Sequence, residues 1–279
     1  MNPADFIKDF LLVCLVFVSL ERLLSLRPEQ KVFRHGWKTD LIHAFANRLL
    51  VGLCTLFLIV LATRFSQNAI PASFRAAVAA QPFWLAFIEV LVLADVGFYL
   101  IHRAFHRIPW LWRFHAIHHS IEEMDFLAAH RVHPIDQILT RSVTLLPIFA
   151  LDFALGPIML FAILYKWHSL FLHSNVRIGF GHLRWIVASP GFHHWHHANH
   201  PEAVDMNFAG QLSVIDLLFG TLHFPQGKMP RKYGIHDPVP GSYIGQLVYP
   251  FQHTKGVAAN TIHCEQPIPQ YDLQRNARP

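Results

Sequence analysis

Histidine is concentrated in one part of the 279-residue chain, because 15 of its 21 histidines fall between His102 and His200. The densest stretch is SPGFHHWHHANH, which runs from Ser189 to His200 and contains five histidines. A surface loop has no need of so many titratable rings, and a packed core would have to provide a partner for every ring nitrogen. Neutral imidazole is a common ligand of Zn, Cu, Fe and Ni ions. The concentration of histidines therefore indicates a metal site.

The pattern His-x-x-His-His occurs twice, and on a helix it points three imidazoles in one direction, since positions i, i+3 and i+4 share a face. A third element, HRAFH, places two more imidazoles one turn apart. The histidines of these three elements are His102, His106, His115, His118, His119, His193, His196 and His197. A ninth, His173 in FLHSN, follows the last apolar run. A tetrahedral zinc site takes only four ligands, so nine imidazoles predict two metal ions with four or five ligands each.

The residues around the histidines narrow the chemistry. Asp95 shares a helical face with His102 and His106, and a carboxylate within an apolar helix is costly without a partner. We predict that Asp95 accepts a hydrogen bond from a ligand imidazole and so fixes its tautomer. The zinc-protease sequence HExxH is absent, and no Glu lies within either His-x-x-His-His, which disfavours a hydrolytic zinc site. Two redox-active metal ions that are bound mostly by nitrogen and are accessible to lipid favour an enzyme that activates O2 to oxidise a lipid.

Apolar helices are the elements that must position these histidines. Charged residues make up 15% of the chain, whereas a soluble domain normally contains about a quarter. Four apolar stretches predict helices of a multi-pass membrane protein, namely residues 6–24, 49–62, 83–101 and 142–167. The last is interrupted at Gly156-Pro157, as in a re-entrant segment or a two-helix hairpin. The first is predicted to be a retained helix and not a signal peptide, because Glu21-Arg22 replace the small residues of a cleavage site.

Loop charge predicts the orientation of these helices. The net charge is +5, but the basic residues flank apolar segments and form no stripe with aromatics, which argues against a nucleic-acid partner. The loop Arg27–Lys38 carries four basic residues and is placed in the cytoplasm. The N-terminus and the loop Arg64–Gln81 carry fewer and are placed outside. The third helix then ends inside near His102, so the histidine-rich region is predicted to face the cytoplasm.

The order of the motifs resembles the fatty acid hydroxylase/sterol desaturase superfamily of integral membrane non-haem di-iron oxygenases. The resemblance covers about Leu91–Tyr233 and rests on LADVGFYLIHRAFH, LWRFHAIHHS, HSNVRIGFG, SPGFHHWHHANH and NFAGQLSVIDLLFGTLHFP. It implies an all-α protein in which a cytoplasmic helical cap holds two iron ions per chain. It also implies an O2-dependent oxidoreductase that hydroxylates or desaturates a C–H bond of a fatty acid, sterol or related lipid. The ligands implied are His102, His106, His115, His118, His119, His173, His193, His196 and His197.

A tenth ligand is an open question. Many members of the superfamily have a second histidine three or four residues from the intervening ligand, whereas His168 lies five before His173, about one and a half turns away. His133 in RVHP is the alternative, although a histidine before proline is more often a turn residue. The remaining histidines are interpreted as residues outside the coordination sphere or on the surface. They are His35, His43, His130, His182, His194, His200, His223, His236, His253 and His263.

The electron donor is predicted to be a separate protein. The sequence contains neither a GxGxxG nucleotide-binding motif after a strand nor the HPGG of a fused cytochrome b5. Six basic residues near the site fit an acidic electron carrier and lipid headgroups equally well. They are Arg103, Arg107, Arg113, Arg131, Lys166 and Arg184.

Three regions are predicted along the chain: membrane-anchoring helices in residues 1–82, a catalytic domain in 83–233 and a polar tail in 234–279. The cysteines, Cys14, Cys54 and Cys264, are predicted to be reduced. Two other classes of protein remain open. A membrane metal transporter or sensor would distribute its ligands through several spans, and a b-type haem electron carrier would pair single histidines on facing helices.

Overall fold

The computed structural model describes residues 3–225 and 227–252, and within them the only regular structure is helical. Four short 3-10 helices accompany the α-helices and span Phe126–His130, Gly181–Trp185, Pro201–Ala203 and Tyr249–Phe251. The α-helices are α1 Pro3–Leu23, α2 Trp37–Ala69, α3 Ala72–Ala79, α4 Phe83–Arg107, α5 Pro109–His119, α6 Pro134–Ala150, α7 Leu155–His173, α8 Pro190–His196, α9 Ser213–Phe219 and α10 Tyr243–Val248. The predicted all-α fold is confirmed.

Three helices in the described part of the chain, α2, α4 and α7, are long and apolar enough to cross a bilayer. Their surfaces carry large apolar side chains in contact with solvent in the isolated protein, such as Leu49 on α2, Trp84 on α4 and Met159 on α7. Side chains of this kind belong in hydrocarbon. Helix α1 also exposes leucines, but charged residues at both of its ends shorten its apolar stretch, and it is not one of the three.

The last apolar run forms a hairpin of two helices. Helix α6 begins beside the histidines and α7 returns to them at His173, so the chain reverses between Ala150 and Leu155. The break precedes the predicted position, because Gly156-Pro157 lies in the first turn of α7. Proline is tolerated there, since the first N–H groups of a helix have no partner within the helix. The turn itself contains Asp152 in the left-handed region, at φ 66°.

Buried polar contacts tie the N-terminal region to the histidine-rich region. The Glu21 carboxylate accepts the N–H groups of Phe126 and Asn175 at 2.8 and 3.0 Å. Arg34 is 3% exposed, and its guanidinium donates to Asp40 and Asp125, each at 2.6 Å. Breaking a buried ion pair of this kind costs about 3–5 kcal/mol, so these contacts fix the segment 125–131 beside the histidines. The N-terminal helices therefore support the site as well as extending into the membrane.

Candidate metal centre

The structure brings all nine predicted histidines together in two adjacent groups. In each group, one ring nitrogen of every member lies within 4.8 Å of the others, and every member is buried. The rings of His119 and His197 stack at 4.5 Å and join the groups. Group 1 consists of His102, His106, His115, His119 and His196, and group 2 consists of His118, His173, His193 and His197. The sizes of the groups agree with the prediction of four or five imidazoles for each of two ions.

Each His-x-x-His-His motif contributes to both groups. In α5, the i and i+4 histidines belong to group 1 and the i+3 histidine, His118, to group 2. In α8 the assignment is reversed, so that His196 at i+3 belongs to group 1 and the i and i+4 histidines to group 2. The last of these, His197, is the C-cap residue and keeps helical dihedral angles, φ −82° and ψ −2°. The first copy of the motif thus gives two histidines to group 1 and one to group 2, and the second copy gives one to group 1 and two to group 2.

The unequal size of the groups has a simple origin in the helices that complete them. Helix α4 gives group 1 two histidines at i and i+4, His102 and His106, whereas α7 gives group 2 only His173. The position four residues before His173 is Ser169, whose carbonyl accepts a hydrogen bond from the Nδ1 of His173 at 2.8 Å. A serine thus occupies the place on α7 at which a tenth imidazole would face group 2.

Hydrogen bonds fix the tautomer of five of the nine rings. In each, Nδ1 lies near an oxygen that can only accept, so Nδ1 carries the proton and the Nε2 lone pair is free. The acceptors are the Phe208 carbonyl for His102 (2.7 Å), the Asp136 carboxylate for His115 (2.7 Å), the Arg131 carbonyl for His118 (3.1 Å), the Ser169 carbonyl for His173 (2.8 Å) and the Met206 carbonyl for His196 (2.9 Å).

These tautomers leave lone pairs facing one another. The Nε2 atoms of His102 and His115 are 3.0 Å apart, and those of His118 and His173 are 3.2 Å apart, with no proton available between them. Two nitrogen ligands at right angles on an ion, each about 2.1 Å from it, would be about 3.0 Å apart. The separations are therefore those of neighbouring ligands on one metal ion.

Other ring nitrogens in the groups have no hydrogen-bond partner within the described residues. They include the buried Nε2 atoms of His106, His119 and His196, and a buried polar group without a partner is costly. Burial lowers the pKa of His196 to about 3, and burial together with neighbouring imidazoles lowers the pKa of His119 and His197 well below the usual value. These three rings are thus neutral at neutral pH, and the two groups fit a pair of nitrogen-binding metal ions.

The predicted hydrogen bond from a ligand imidazole to Asp95 is wrong. The carboxylate of Asp95 accepts three backbone N–H groups instead, from Gly210, Gln211 and Leu212 at 2.9, 2.9 and 2.7 Å. The reason is that residues 210–212 cross α4 directly over this carboxylate. Asp95 therefore holds the chain that follows the Phe208 carbonyl, and Asp136 is the carboxylate that binds a ligand ring.

The two further histidines considered as ligands lie outside both groups. The His168 ring bonds with Gln211 Oε1 and the Ala188 carbonyl, both at 2.9 Å. The His133 ring caps α6 by accepting the N–H of Ile135 at 3.1 Å, and its Nε2 contacts the Leu247 carbonyl at 3.2 Å. In both rings the two nitrogens are already engaged by protein atoms.

The remaining histidines within the described residues lie outside both groups as well. His194 is buried and bonds with the Tyr233 hydroxyl and the Ser174 carbonyl, whereas His200 caps a 3-10 helix. His43 is also buried, between Gln246 and Asn47. Cys14 and Cys54 are free thiols. His253, His263 and Cys264 lie outside the described residues.

Asn207 supports the site and was not singled out from the sequence. It lies in the left-handed region at φ 62°, between the two carbonyls that bind His196 and His102. Its amide nitrogen donates to the carbonyls of Phe192 and His223 at 2.9 and 2.7 Å, and its amide oxygen accepts the His223 N–H at 2.7 Å. In the sequence, Asn207 is marked only by its place at the start of NFAGQLSVID, a stretch that contributes to the family resemblance but contains no histidine.

Asp136→Asn is expected to lower the affinity of the protein for metal by about 10–100-fold, the usual cost of losing a carboxylate that orients a ligand histidine. The amide can present its NH2 group to His115 Nδ1 and favour the wrong tautomer. Asp152→Asn, at a half-exposed turn far from the histidines where asparagine tolerates positive φ, is the matched control. Competition with a metal chelator measures the affinity of both variants, and equal affinities would show that Asp136 does not orient the ring.

A cavity of about 520 Å³ leads from the histidines into the helices that extend into the membrane. It lies between α4, α6 and α7, and members of both groups, among them His102 and His173, form part of its wall. Phe98 and Phe105 line it where they contact the rings of His102 and His115. Most of the wall is apolar, as expected for a site that binds a largely hydrocarbon molecule.

Comparisons with known proteins agree with this geometry. The fatty acid hydroxylase family matches residues 87–221, which include all nine histidines. An ornithine lipid hydroxylase of Rhizobium tropici is 33% identical over 199 residues, which are 66% of this chain and 60% of that protein. The alkylglycerol monooxygenase of Xenopus tropicalis is 30% identical over 159 residues, which are 56% of this chain and 33% of that protein. The human alkylglycerol monooxygenase is 30% identical over 147 residues, 52% of this chain and 32% of that protein.

The matched part of the chain thus spans between about a third and 60% of the length of these relatives. No solved structure matches the chain. The family match and the two buried histidine groups concern the same residues, and the resemblance predicted from the motifs is confirmed. The chain is thus similar to the fatty acid hydroxylase family over residues 87–221, the region that contains both histidine groups.

Proposed function

We propose that the protein is an O2-dependent di-iron oxygenase that hydroxylates or desaturates an aliphatic C–H bond of a membrane lipid. Group 1 and group 2 would each hold one iron ion. The observation that supports this most directly is the convergence of the buried imidazoles, with the Nε2 lone pairs of His102 and His115, and of His118 and His173, facing one another. Iron bound in this way supplies the reductive activation of O2 that such a reaction needs. The names of two relatives, an ornithine lipid hydroxylase and an alkylglycerol monooxygenase, support a lipid substrate.

The residues of the chain supply positioning and exclude water. Asp136 and the carbonyls of Phe208, Met206, Arg131 and Ser169 hold the ring planes, so that little reorganisation accompanies metal binding. Phe98 and Phe105 place hydrocarbon against the rings of His102 and His115. The apolar wall keeps water away from the reacting C–H bond.

Other parts of the proposal concern partners and domain organisation. Electrons would come from a separate donor protein on the cytoplasmic side. Residues 1–82 would anchor the protein and support the site, residues 83–233 would form the catalytic domain, and residues 234–279 would form a tail. The gathering of all nine histidines at one end of the spans favours an enzyme over a transporter that strings its ligands along a pathway.

The function is tested with protein purified without added metal, supplied with ferrous iron, a chemical reductant and a total lipid extract. Under 18O2, mass spectrometry is expected to detect an 18O-labelled hydroxyl lipid or a lipid with one more double bond, at two irons per chain. The same protein under argon is the control for oxygen dependence. Iron near one ion per chain in active protein would contradict the dinuclear site, and an unchanged lipid extract would contradict the oxygenase.

Reporter fusions are expected to place residues 70–82 outside and the histidine-rich region inside. The basic loop Arg27–Lys38 favours the cytoplasm, and α2 and α4, joined through residues 70–82, bring the chain out and back. Fusions after Lys38, Arg75 and the C-terminus should therefore read inside, outside and inside. A reporter active outside when fused after Lys38 would reverse the assignment.

A further inference from the structure

An arginine lines the cavity without a carboxylate partner. Arg141 on α6 forms part of the wall and is itself exposed, so the cavity is open at this side chain. Its Nη1 donates to the Thr55 hydroxyl on α2 at 2.9 Å. No carboxylate among residues 3–225 and 227–252 lies within the 4.0 Å of an ion pair from its guanidinium. The neutral hydroxyl leaves the positive charge uncompensated.

The depth of Arg141 makes this charge expensive. Its partner Thr55 is flanked on α2 by Leu53 and Leu56, which are 60% and 59% exposed on the lipid-facing surface of a predicted span. Cations at hydrocarbon depth are rare, and they face cavities or paired groups that use them. A group that binds the guanidinium from within the cavity would offset this cost.

The second cationic side chain on the cavity wall, unlike Arg141, has a carboxylate partner. Lys166 on α7 is paired with the Asp9 carboxylate of α1, with Nζ at 2.6 and 2.5 Å from its two oxygens. The same wall thus contains a neutralised lysine and an arginine whose charge is not neutralised. Because a guanidinium presents a planar fork of donors, it matches the paired oxygens of a carboxylate or phosphate.

We propose that Arg141 binds an anionic group, a carboxylate or a phosphate, of the lipid that enters the cavity. The proposal rests on the proposed function only in taking the cavity as the substrate site. Arg141 follows Asp136 by five residues, about 7.5 Å along α6. An anion held there would leave the attached hydrocarbon to reach Phe98 and Phe105 beside the histidines. The selected substrates would thus be acidic lipids, and a neutral isostere would bind less well.

Photo-crosslinking in nanodiscs of zwitterionic lipid tests the proposal without turnover. The probes are a diazirine-bearing palmitic acid, its methyl ester and a diazirine-bearing phosphatidic acid, titrated until labelling saturates. We expect wild-type protein to bind at least one acid about tenfold or more tightly than the ester, since a charge-assisted hydrogen bond is being compared with a neutral contact. Preference for palmitic acid assigns a carboxylate, and preference for phosphatidic acid assigns a phosphate.

Two variants separate a binding site from general attraction. Arg141→Gln is expected to reduce the preference to about twofold or less, and Arg141→Lys to retain part of it. Arg48→Gln removes the same charge from the exposed surface of α2, outside the cavity, and should keep the wild-type preference. Thermal unfolding and bound metal establish that each variant is folded.

Three results would overturn the proposal: equal binding of acids and ester by wild type, an unchanged preference in Arg141→Gln, or an equal loss in Arg48→Gln. None of them bears on oxygen chemistry, because the assay needs neither O2 nor reductant. Conversely, an acid preference lost in Arg141→Gln would stand even if no lipid were oxidised. Failure of the anion site and failure of the oxygenase proposal are therefore distinguishable.

Discussion

His197→Ala is expected to abolish lipid oxidation and to reduce bound iron from two ions per chain to about one. His197 is one of four imidazoles in group 2, and its loss leaves three, fewer than the four of a closed nitrogen site. Group 1 shares no ligand with group 2, so its ion should remain. Elemental analysis of purified protein, paired with the 18O2 assay, measures both quantities. Two ions per chain in an inactive His197→Ala protein would place this ring outside the coordination sphere.

His194→Ala is the matched control, because it removes a buried imidazole from the same short helix. The His194 ring bonds with the Tyr233 hydroxyl and the Ser174 carbonyl and belongs to neither group. Its loss is expected to cost about 1–3 kcal/mol of stability through unsatisfied partners, while two ions stay bound. Should His194→Ala lose iron while His197→Ala keeps it, the ligand assignment in α8 would be wrong.

The nine ligand histidines could be predicted from the sequence, because the spacing that places imidazoles on one face of a helix is a local property. Positions i, i+3 and i+4 face one way on any helix, and both motifs are helical. The division of each motif between two groups could not be predicted. It depends on how α4, α5, α7 and α8 pack around the centre, which no short stretch of sequence specifies.

The partners of the ligand rings were the least predictable part of the site. Asp95 and Asp136 are both buried acids near ligand helices, and spacing along one helix favoured Asp95. In the structure, the ligand ring of His115 bonds with Asp136 and not with Asp95, because the first turn of α6 packs beside this ring. Asp136 lies 21 residues from His115 along the chain. Similarly, the contact of Arg34 with Asp125 joins residues 91 apart in sequence, so the pattern of residues 1–82 does not indicate that they support the site.

Asn207→Ala is expected to lower the free energy of unfolding by about 3 kcal/mol or more. The substitution leaves the carbonyls of Phe192 and His223 and the His223 N–H without their buried partner, and each such group costs about 1–3 kcal/mol. The left-handed backbone adds about 1 kcal/mol for alanine. Thermal unfolding in detergent measures the loss, with Asn68→Ala on the exposed surface of α2 as the control near zero.

Asn207→Gly separates the two causes, since glycine adopts positive φ freely but makes none of the side-chain hydrogen bonds. We expect Asn207→Gly to be more stable than Asn207→Ala by about 1 kcal/mol and still well below wild type. Because the carbonyls of Met206 and Phe208 flank Asn207 and orient His196 and His102, both variants should also bind the group 1 ion more weakly. If metal affinity stayed at the wild-type level while stability fell, the asparagine would support the fold alone, and the orientation of these two rings would have to come from the packing of α4 and α8.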